Sequence, residues 1–302
     1  MIDAGRYPAL GRGNVPAMNS TLADAAVDVP PASGTAHRYL MCPPTFFAVR
    51  YRINPWMEPE VPVDVDRAVR QWRRLRDQLV SLGHRVEVMT PDPRLPDLVF
   101  TANGGIAVGD RALVPRFRHP ERQAESPVYA AALHELGVTV VEQAECVNEG
   151  EGDYLLVGDR FLAGTGQRSD PDSAREVAEF FDIEVVPLTL VDPRFYHLDT
   201  ALARLRPDLV AYWPGAFSER SQGVLRELFP DAVLADEADA AALALNMVSD
   251  GTSVVMAPDR PDLCAAVADR GLHVIEIATG ELRKSGGGAK CCVLEHHRPE
   301  PV

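Results

Sequence analysis

The sequence predicts an α/β fold in which five ββαβ-like units close into a ring around an axial cleft. Three observations predict it. A helical stretch, a short break and a strand recur five times between residues 65 and 275. The breaks lie about 40–54 residues apart, a spacing typical of repeat architectures. Further strand candidates follow each repeat, several of them separated by hairpin-turn dipeptides. An open α/β sheet of similar content is the plainer alternative, and the repeats favour the ring.

The first helix, 65–82, is amphipathic through Val69, Trp72, Leu75, Leu79 and Leu82 and leads through Gly83 into Val86 and Val88. Apolar residues at intervals of three and four are the signature of a helix with one buried face. The arginines at 70, 73, 74 and 76 read as its solvated side. Strand candidates 98–108 and 112–114 follow, turning at Gly109-Asp110. The second helix, 127–136, leads through Gly137 into 138–141, and the pair 154–157 and 161–163 turns at Gly158-Asp159. The third, 171–181, has Pro171 near its start, a position where the missing N–H costs nothing, and precedes strands at 183–186, 195–205 and 209–212. The fourth, 217–228, leads to 233–234 and then to 245–248 and 253–256, which turn at Asp250-Gly251. The fifth, 261–270, leads to 272–275. A last strand, 290–295, would close the ring by pairing with 38–42.

Residues 1–36 are rich in Gly, Pro, Ala and Ser with no sustained period and read as a flexible N-terminal tail. Residues 37–302 read as one continuous domain. With 30 Lys+Arg against 44 Asp+Glu, the chain carries a formal charge of −14. That balance argues against nucleic-acid binding, which needs clustered cations, and favours a cationic small molecule as partner. No apolar run approaches the ~18 residues of a membrane span, and the first residues lack a secretory pattern. Five scattered cysteines (42, 146, 264, 291 and 292), with no CxxC, argue against a disulfide scaffold or structural zinc and point to a reducing, cytoplasmic setting. A single reactive thiol is the reading that survives.

Polar groups sit at corresponding places in the units. They are Asp97 and Asn103, the acidic loop Glu149-Gly-Glu-Gly-Asp153, His197 and Asp199, Asn246, and Gly286-Gly-Gly-Ala-Lys-Cys291-Cys292. Units related by rotation would bring them to one end of the axis. There they would supply carboxylates, an imidazole, amides and a thiol, a nucleophile–base–orienter set suited to covalent catalysis. Each has a duller reading alone: Asp97 as a turn cap, Asn103-Gly-Gly as a tight turn, the acidic loop as solvated or calcium-binding. His197 could be a core histidine, Cys291 an ordinary buried cysteine, and Asn246 a packing residue.

Taken together, Phe195-Tyr-His197-Leu-Asp199-Thr200, Glu149-Gly-x-Gly-Asp153 and Gly-Gly-Gly-x-Lys-Cys291 resemble the guanidine-modifying (amidinotransferase, or pentein) superfamily. It includes arginine deiminases, dimethylarginine dimethylaminohydrolases and ornithine-forming arginine dihydrolases. The resemblance covers about residues 37–297 and implies a five-fold pseudo-symmetric α/β propeller, the pentein fold, with residues 37–302 as a single catalytic domain.

The resemblance implies Cys291 as nucleophile and His197 as acid, then base. It implies that Glu149 holds the guanidinium and that Asp199 binds it or orients His197. Asn54, in Tyr51-Arg-Ile-Asn54-Pro-Trp-Met57, resembles a contact on a segment that covers substrate. Asp97, Asn103 and Asp153 complete the expected substrate-binding set, and Arg168 is the candidate grip on an α-carboxylate. Asn103 stands where deiminases carry Asp, as in the dihydrolase-like group. A neutral amide there can also accommodate a neutral ureido group. The activity so implied is hydrolysis of arginine, through a Cys thiouronium intermediate, to ornithine, ammonia and carbon dioxide. Hydrolysis of Nω-dimethylated arginine to citrulline and dimethylamine is the alternative. Amidino transfer, or a non-enzymatic binding protein, stands further off. No metal or organic cofactor is implied. Cys292 is given a packing role, since adjacent residues of a strand face opposite ways.

Overall fold

The computed structural model describes residues 36–298; the tail expected over 1–36 lies outside them, apart from Ala36. Each unit repeats one pattern. Two antiparallel strands are followed by a helix and a third strand parallel to the second.

The chain opens with β1 (Arg38–Met41), α1 (Val65–Ser81) and β2 (Arg85–Val88). The Asp64 side chain accepts the Arg67 N–H to start α1, filling one of the vacant donors at a helix N-terminus. Ala68, Trp72, Leu75 and Leu79 are buried along one stripe of α1, whereas Arg70, Arg73 and Arg74 are exposed. The second unit is β3 (Ile106–Val108), β4 (Arg111–Val114), a short α2 (Pro120–Gln123), α3 (Ser126–Glu135) and β5 (Val140–Gln143). The third is β6 (Tyr154–Val157), β7 (Arg160–Thr165), α4 (Ser173–Phe181) and β8 (Glu184–Thr189). The fourth is β9 (Leu202–Arg206), β10 (Leu209–Tyr212), α5 (Glu219–Leu228) and β11 (Val233–Leu234). After α6 (Glu237–Ala241), the fifth is β12 (Val248–Ser249), β13 (Ser253–Met256), α7 (Pro261–Ala268) and β14 (His273–Glu276).

The last strand, β15 (Leu294–His297), completes the first unit by running antiparallel to β1, with Tyr39 opposite Glu295. On its other side it pairs in parallel with β3, joining two units into one six-stranded sheet. The other three units keep separate three-stranded sheets.

The core shows why the ring closes. Five apolar clusters each mix side chains from two successive units around one of the longer helices. Leu40 and Leu294 meet Ala112 and Leu133, and Ile106 and Leu113 meet Phe161 and Val177. Leu162 and Leu188 meet Val210 and Leu225, and Leu205 and Leu209 meet Val254 and Val267. Val248 and Val255 return to Tyr39, Trp72 and Leu75. No unit buries its helix alone; each helix is covered by a neighbour, as in other repeat folds. This is the expected five-fold α/β propeller.

The strands are shorter than the sequence reading made them. Residues 98–99, 101–104, 198–200 and 290–292 lie in 3₁₀ turns rather than strands. An apolar run alone does not separate a buried turn from a buried strand.

Candidate active site

Those turns precede the inner strands, and the polar residues ride on them. Asp97 and Asn103 lie on Pro96–Val99 and Thr101–Gly104, before β3. Glu149 caps Gly150–Gly152 before β6, and His197 caps Leu198–Thr200 before β9. Asn246 precedes β12, and Cys291 lies on Lys290–Cys292, before β15. Equivalent places in all five units thus meet at one end of the axis, as the sequence predicts.

Cys291 is buried and lines a pocket of about 250 Å³ together with Ile53, Asn54, Met57, Asp97, Phe100, Asn103, Arg122, Arg168, Tyr196 and Ser285. The thiol donates to Asp199 Oδ2 at 3.1 Å. Asn246 clamps the same residue: its Oδ1 accepts the Cys291 N–H at 3.0 Å, and its Nδ2 lies 3.1 Å from the sulfur. That Nδ2 also reaches the Asp199 carbonyl at 2.9 Å. Gly288 makes the clamp possible, because a Cβ there would stand 2.8 Å from Asn246 Oδ1.

A second network surrounds His197. Its Nε2 is 2.7 Å from Glu149 Oε2, which Arg168 also meets at 2.7 Å. Burial, with Arg168 and Arg122 close by, pushes the imidazole down to about 4 against the bond from Glu149. The contact is therefore a neutral imidazole N–H donating to a carboxylate, not an ion pair. With Nε2 protonated, Nδ1 is the acceptor, and Asn103 Nδ2 lies 3.4 Å from it; the tautomer is assigned from these partners. Burial pulls the Glu149 carboxyl up, but Arg168 and His197 outweigh it and hold the group well below its ordinary value. Gly152 permits this packing: a Cβ there would lie 2.3 Å from Asn103 Nδ2 and 3.1 Å from His197 Nδ1.

The carboxylates divide by role. Burial raises Asp199 to about 6, against the pull of Lys290 and the bonds from Cys291 and Asn246. Its Oδ1 is buried with no hydrogen-bond partner among the described residues. Burial, and then the Asp199 charge, push the Cys291 thiol well above its ordinary value. At rest Cys291 is a thiol. A cation entering between Cys291 and Asp199 would satisfy the carboxylate and favour the thiolate together.

Asp97 lines the pocket, with Tyr51 Oη donating to it at 2.6 Å and Ser285 Oγ at 3.2 Å. Asn54 lines it too and donates to the Ser285 carbonyl at 3.0 Å. Arg168 also donates to the Ile53 carbonyl at 2.9 Å, so it ties the 51–57 segment to Glu149. Asp153 does not line the pocket. It accepts from Ser169 Oγ at 2.6 Å and the Leu198 N–H at 3.1 Å, bracing the His197 turn from behind. His197, Glu149 and Asp199 reach the pocket through Asn103, Arg168 and Cys291. Asp199 meets the thiol, and the His197 partner is Glu149.

Cys292 is fully buried in the apolar cluster of β1 and α1. Its packing role stands, but the reason is the 3₁₀ turn and not strand alternation. Two residues that shape the site were not assigned a role in it from the sequence. Arg122 donates to Asn103 Oδ1 at 2.7 Å and forks onto Glu125, yet Pro120-Glu-Arg-Gln carries no signal of a site. Asn246, read as a packing residue, was visible only as a lone amide in an apolar run. Among the described residues, no group of three or more His, Cys, Asp or Glu is placed to hold a metal ion.

Residues 54–298 match the family described as N,N dimethylarginine dimethylhydrolase, eukaryotic. An N(G),N(G)-dimethylarginine dimethylaminohydrolase of Mycobacterium tuberculosis is 48% identical over 260 residues, covering 86% of each chain. The bifunctional arginine dihydrolase/ornithine cyclodeaminase AgrE of Nostoc sp. is 40% identical over 87% of this chain, which spans only 38% of that protein. The crystal structure of the product-bound N-terminal domain of ArgZ, a cyanobacterial arginine dihydrolase, superposes with a TM-score of 0.84 at 37% identity, covering 88% of this chain and all of that one. A variant of the same domain, covalently bonded to a reaction intermediate, superposes at 0.82. The chain belongs to the dimethylarginine dimethylaminohydrolase family of guanidine-modifying proteins.

Proposed function

We propose that residues 37–302 form one catalytic domain that hydrolyses the guanidinium group of free arginine to ornithine, two ammonia molecules and carbon dioxide, consuming two waters. The substrate cation enters beside Asp97 and Asp199, and its charge favours transfer of the Cys291 proton to the neutral His197. The thiolate adds to the guanidinium carbon, ammonia leaves with a proton from His197, and a thiouronium remains on sulfur. His197, held by Glu149, then takes a proton from water as it attacks. Citrulline so formed is attacked again in the same pocket. Arg122 and Arg168, two guanidinium groups on the pocket wall, suit the α-carboxylate.

Asn103 carries this reading. It is a neutral amide between Arg122 and His197, able to donate to a ureido oxygen where a carboxylate would repel it. The 48% identical relative favours a second reading, hydrolysis of Nω-dimethylarginine to citrulline and dimethylamine. Incubating the purified protein with arginine and, separately, with dimethylarginine decides between them once ornithine and citrulline are resolved. Citrulline accumulating from arginine without ornithine would sink the dihydrolase reading. All five cysteines are free, and among the described residues no helix is long and apolar enough to cross a membrane. The free thiols support a cytoplasmic setting.

A further inference from the structure

Lys290 and Cys291 are neighbours on one 3₁₀ turn but face different cavities. Cys291 lines the 250 Å³ pocket. Lys290 lines a second cavity, about 440 Å³, whose walls include Tyr39, Glu151, Arg204, Glu295 and His297. The turn is the partition between the two. We propose that Lys290 is a positioning residue: locked by Glu151 in the second cavity, its ammonium fixes the nucleophile's turn from behind and supplies the counter-charge for Asp199. The proposal rests on the assignment of Cys291 as nucleophile and concerns how that group is held.

The bonds define the lock. Lys290 Nζ donates to Glu151 Oε2 and to the Val293 carbonyl, both at 2.9 Å, so the side chain folds back over its own turn. Its backbone N–H donates to the carbonyl of Asn246, the residue that clamps Cys291. Glu151 is itself fixed, by His297 Nε2 at 2.7 Å and the Glu295 N–H at 2.9 Å. The acidic loop therefore serves both cavities: Glu149 turns to His197 and Arg168, and Glu151 turns to Lys290 and His297.

Asp199 bonds to Cys291 and Asn246, and it interacts electrostatically with Lys290 and Cys292 from the turn, Glu151 and Asp153 from the acidic loop, and Tyr196 on its own segment. Among these Lys290 is the cation, and it is the foremost influence opposing the effect of burial on Asp199. A carboxylate whose nearby cation is removed loses its charge more readily.

The test is the acid limb of kcat/KM against pH, with whichever of arginine or dimethylarginine is turned over. Lys290→Gln keeps a polar reach to Glu151 and Val293 but no charge, and should move the limb's midpoint up by about 1 pH unit or more. Lys290→Arg should return it. Glu151→Gln leaves the ammonium uncompensated and should move it down. A midpoint does not depend on the fraction of protein that is folded, so partial loss of fold does not hide the shift. If Lys290→Gln yields no active protein, the downward shift in Glu151→Gln still decides. A lower rate with the limb unmoved in the charge-removing variants would overturn the proposal. Turnover by Cys291→Ala would overturn the nucleophile assignment instead, and leaves the limb readable.

Discussion

Asn246 holds Cys291 at two points, accepting its N–H at 3.0 Å and meeting its sulfur at 3.1 Å. Asn246→Ala should lower kcat by about 10–100-fold, the loss of one or two hydrogen bonds that position a nucleophile. Turnover should vanish in Cys291→Ser and persist in Cys292→Ser. Steady-state kinetics on the three variants checks this, and survival of Cys291→Ser with loss of Cys292→Ser would exchange the two thiols.

The Asp199 charge helps keep Cys291 protonated in the free protein. Asp199→Asn should therefore speed alkylation of Cys291 by iodoacetamide at neutral pH, by about tenfold for each unit the thiol's pKa falls. The same variant should lose turnover, since the cation site is gone. Peptide mass spectrometry of timed samples reads the rate, and slower labelling would contradict the arrangement.

Asn103→Asp places a carboxylate against His197 and the reacting group. Citrulline should then accumulate from arginine while ornithine falls, because a ureido group offers no charge to bind. An unchanged ratio of the two products would remove Asn103 from the discrimination.

Gly152→Ala puts a methyl group 2.3 Å from Asn103 Nδ2. Either Asn103 or His197 must move. Loss of activity should exceed loss of stability, read as kcat/KM against the urea midpoint, and full activity would show that the packing is looser than described.

His297 is paired with Glu151 and Glu295, and these carboxylates raise it to about 9 although burial works against them. Its folded pKa lies above the ordinary value of about 6.5. The stabilisation is therefore complete below pH 6.5 and is lost as pH rises through 9. It amounts to about 3 kcal/mol on the order-of-magnitude linkage scale. Urea midpoints should fall between pH 6.5 and 9.5 in the parent and fall less in His297→Gln.

Much of this was legible in the sequence. Helix periodicity with breaks at Gly83, Gly137 and Gly271 marked repeats, because a positive φ after a helix suits glycine; all three have φ between 80° and 88°. Glu149, His197 and Cys291 stood out as reactive types at recurring positions. Arg122 did not, since one arginine on a four-residue helix looks like any surface cation until the chain folds it against Asn103.

The order of residues alone determined the five-unit ring and the set of reactive groups, because periodicity and turn chemistry are local properties written every few residues. Tertiary structure decided the partners. Which carboxylate meets the imidazole and which the thiol depends on side chains 48 and 92 positions apart. Burial then sets their charges: Asp199 rises to about 6 and His197 falls to about 4. Desolvation is a property of the packed interior, and it has no counterpart in the unfolded chain.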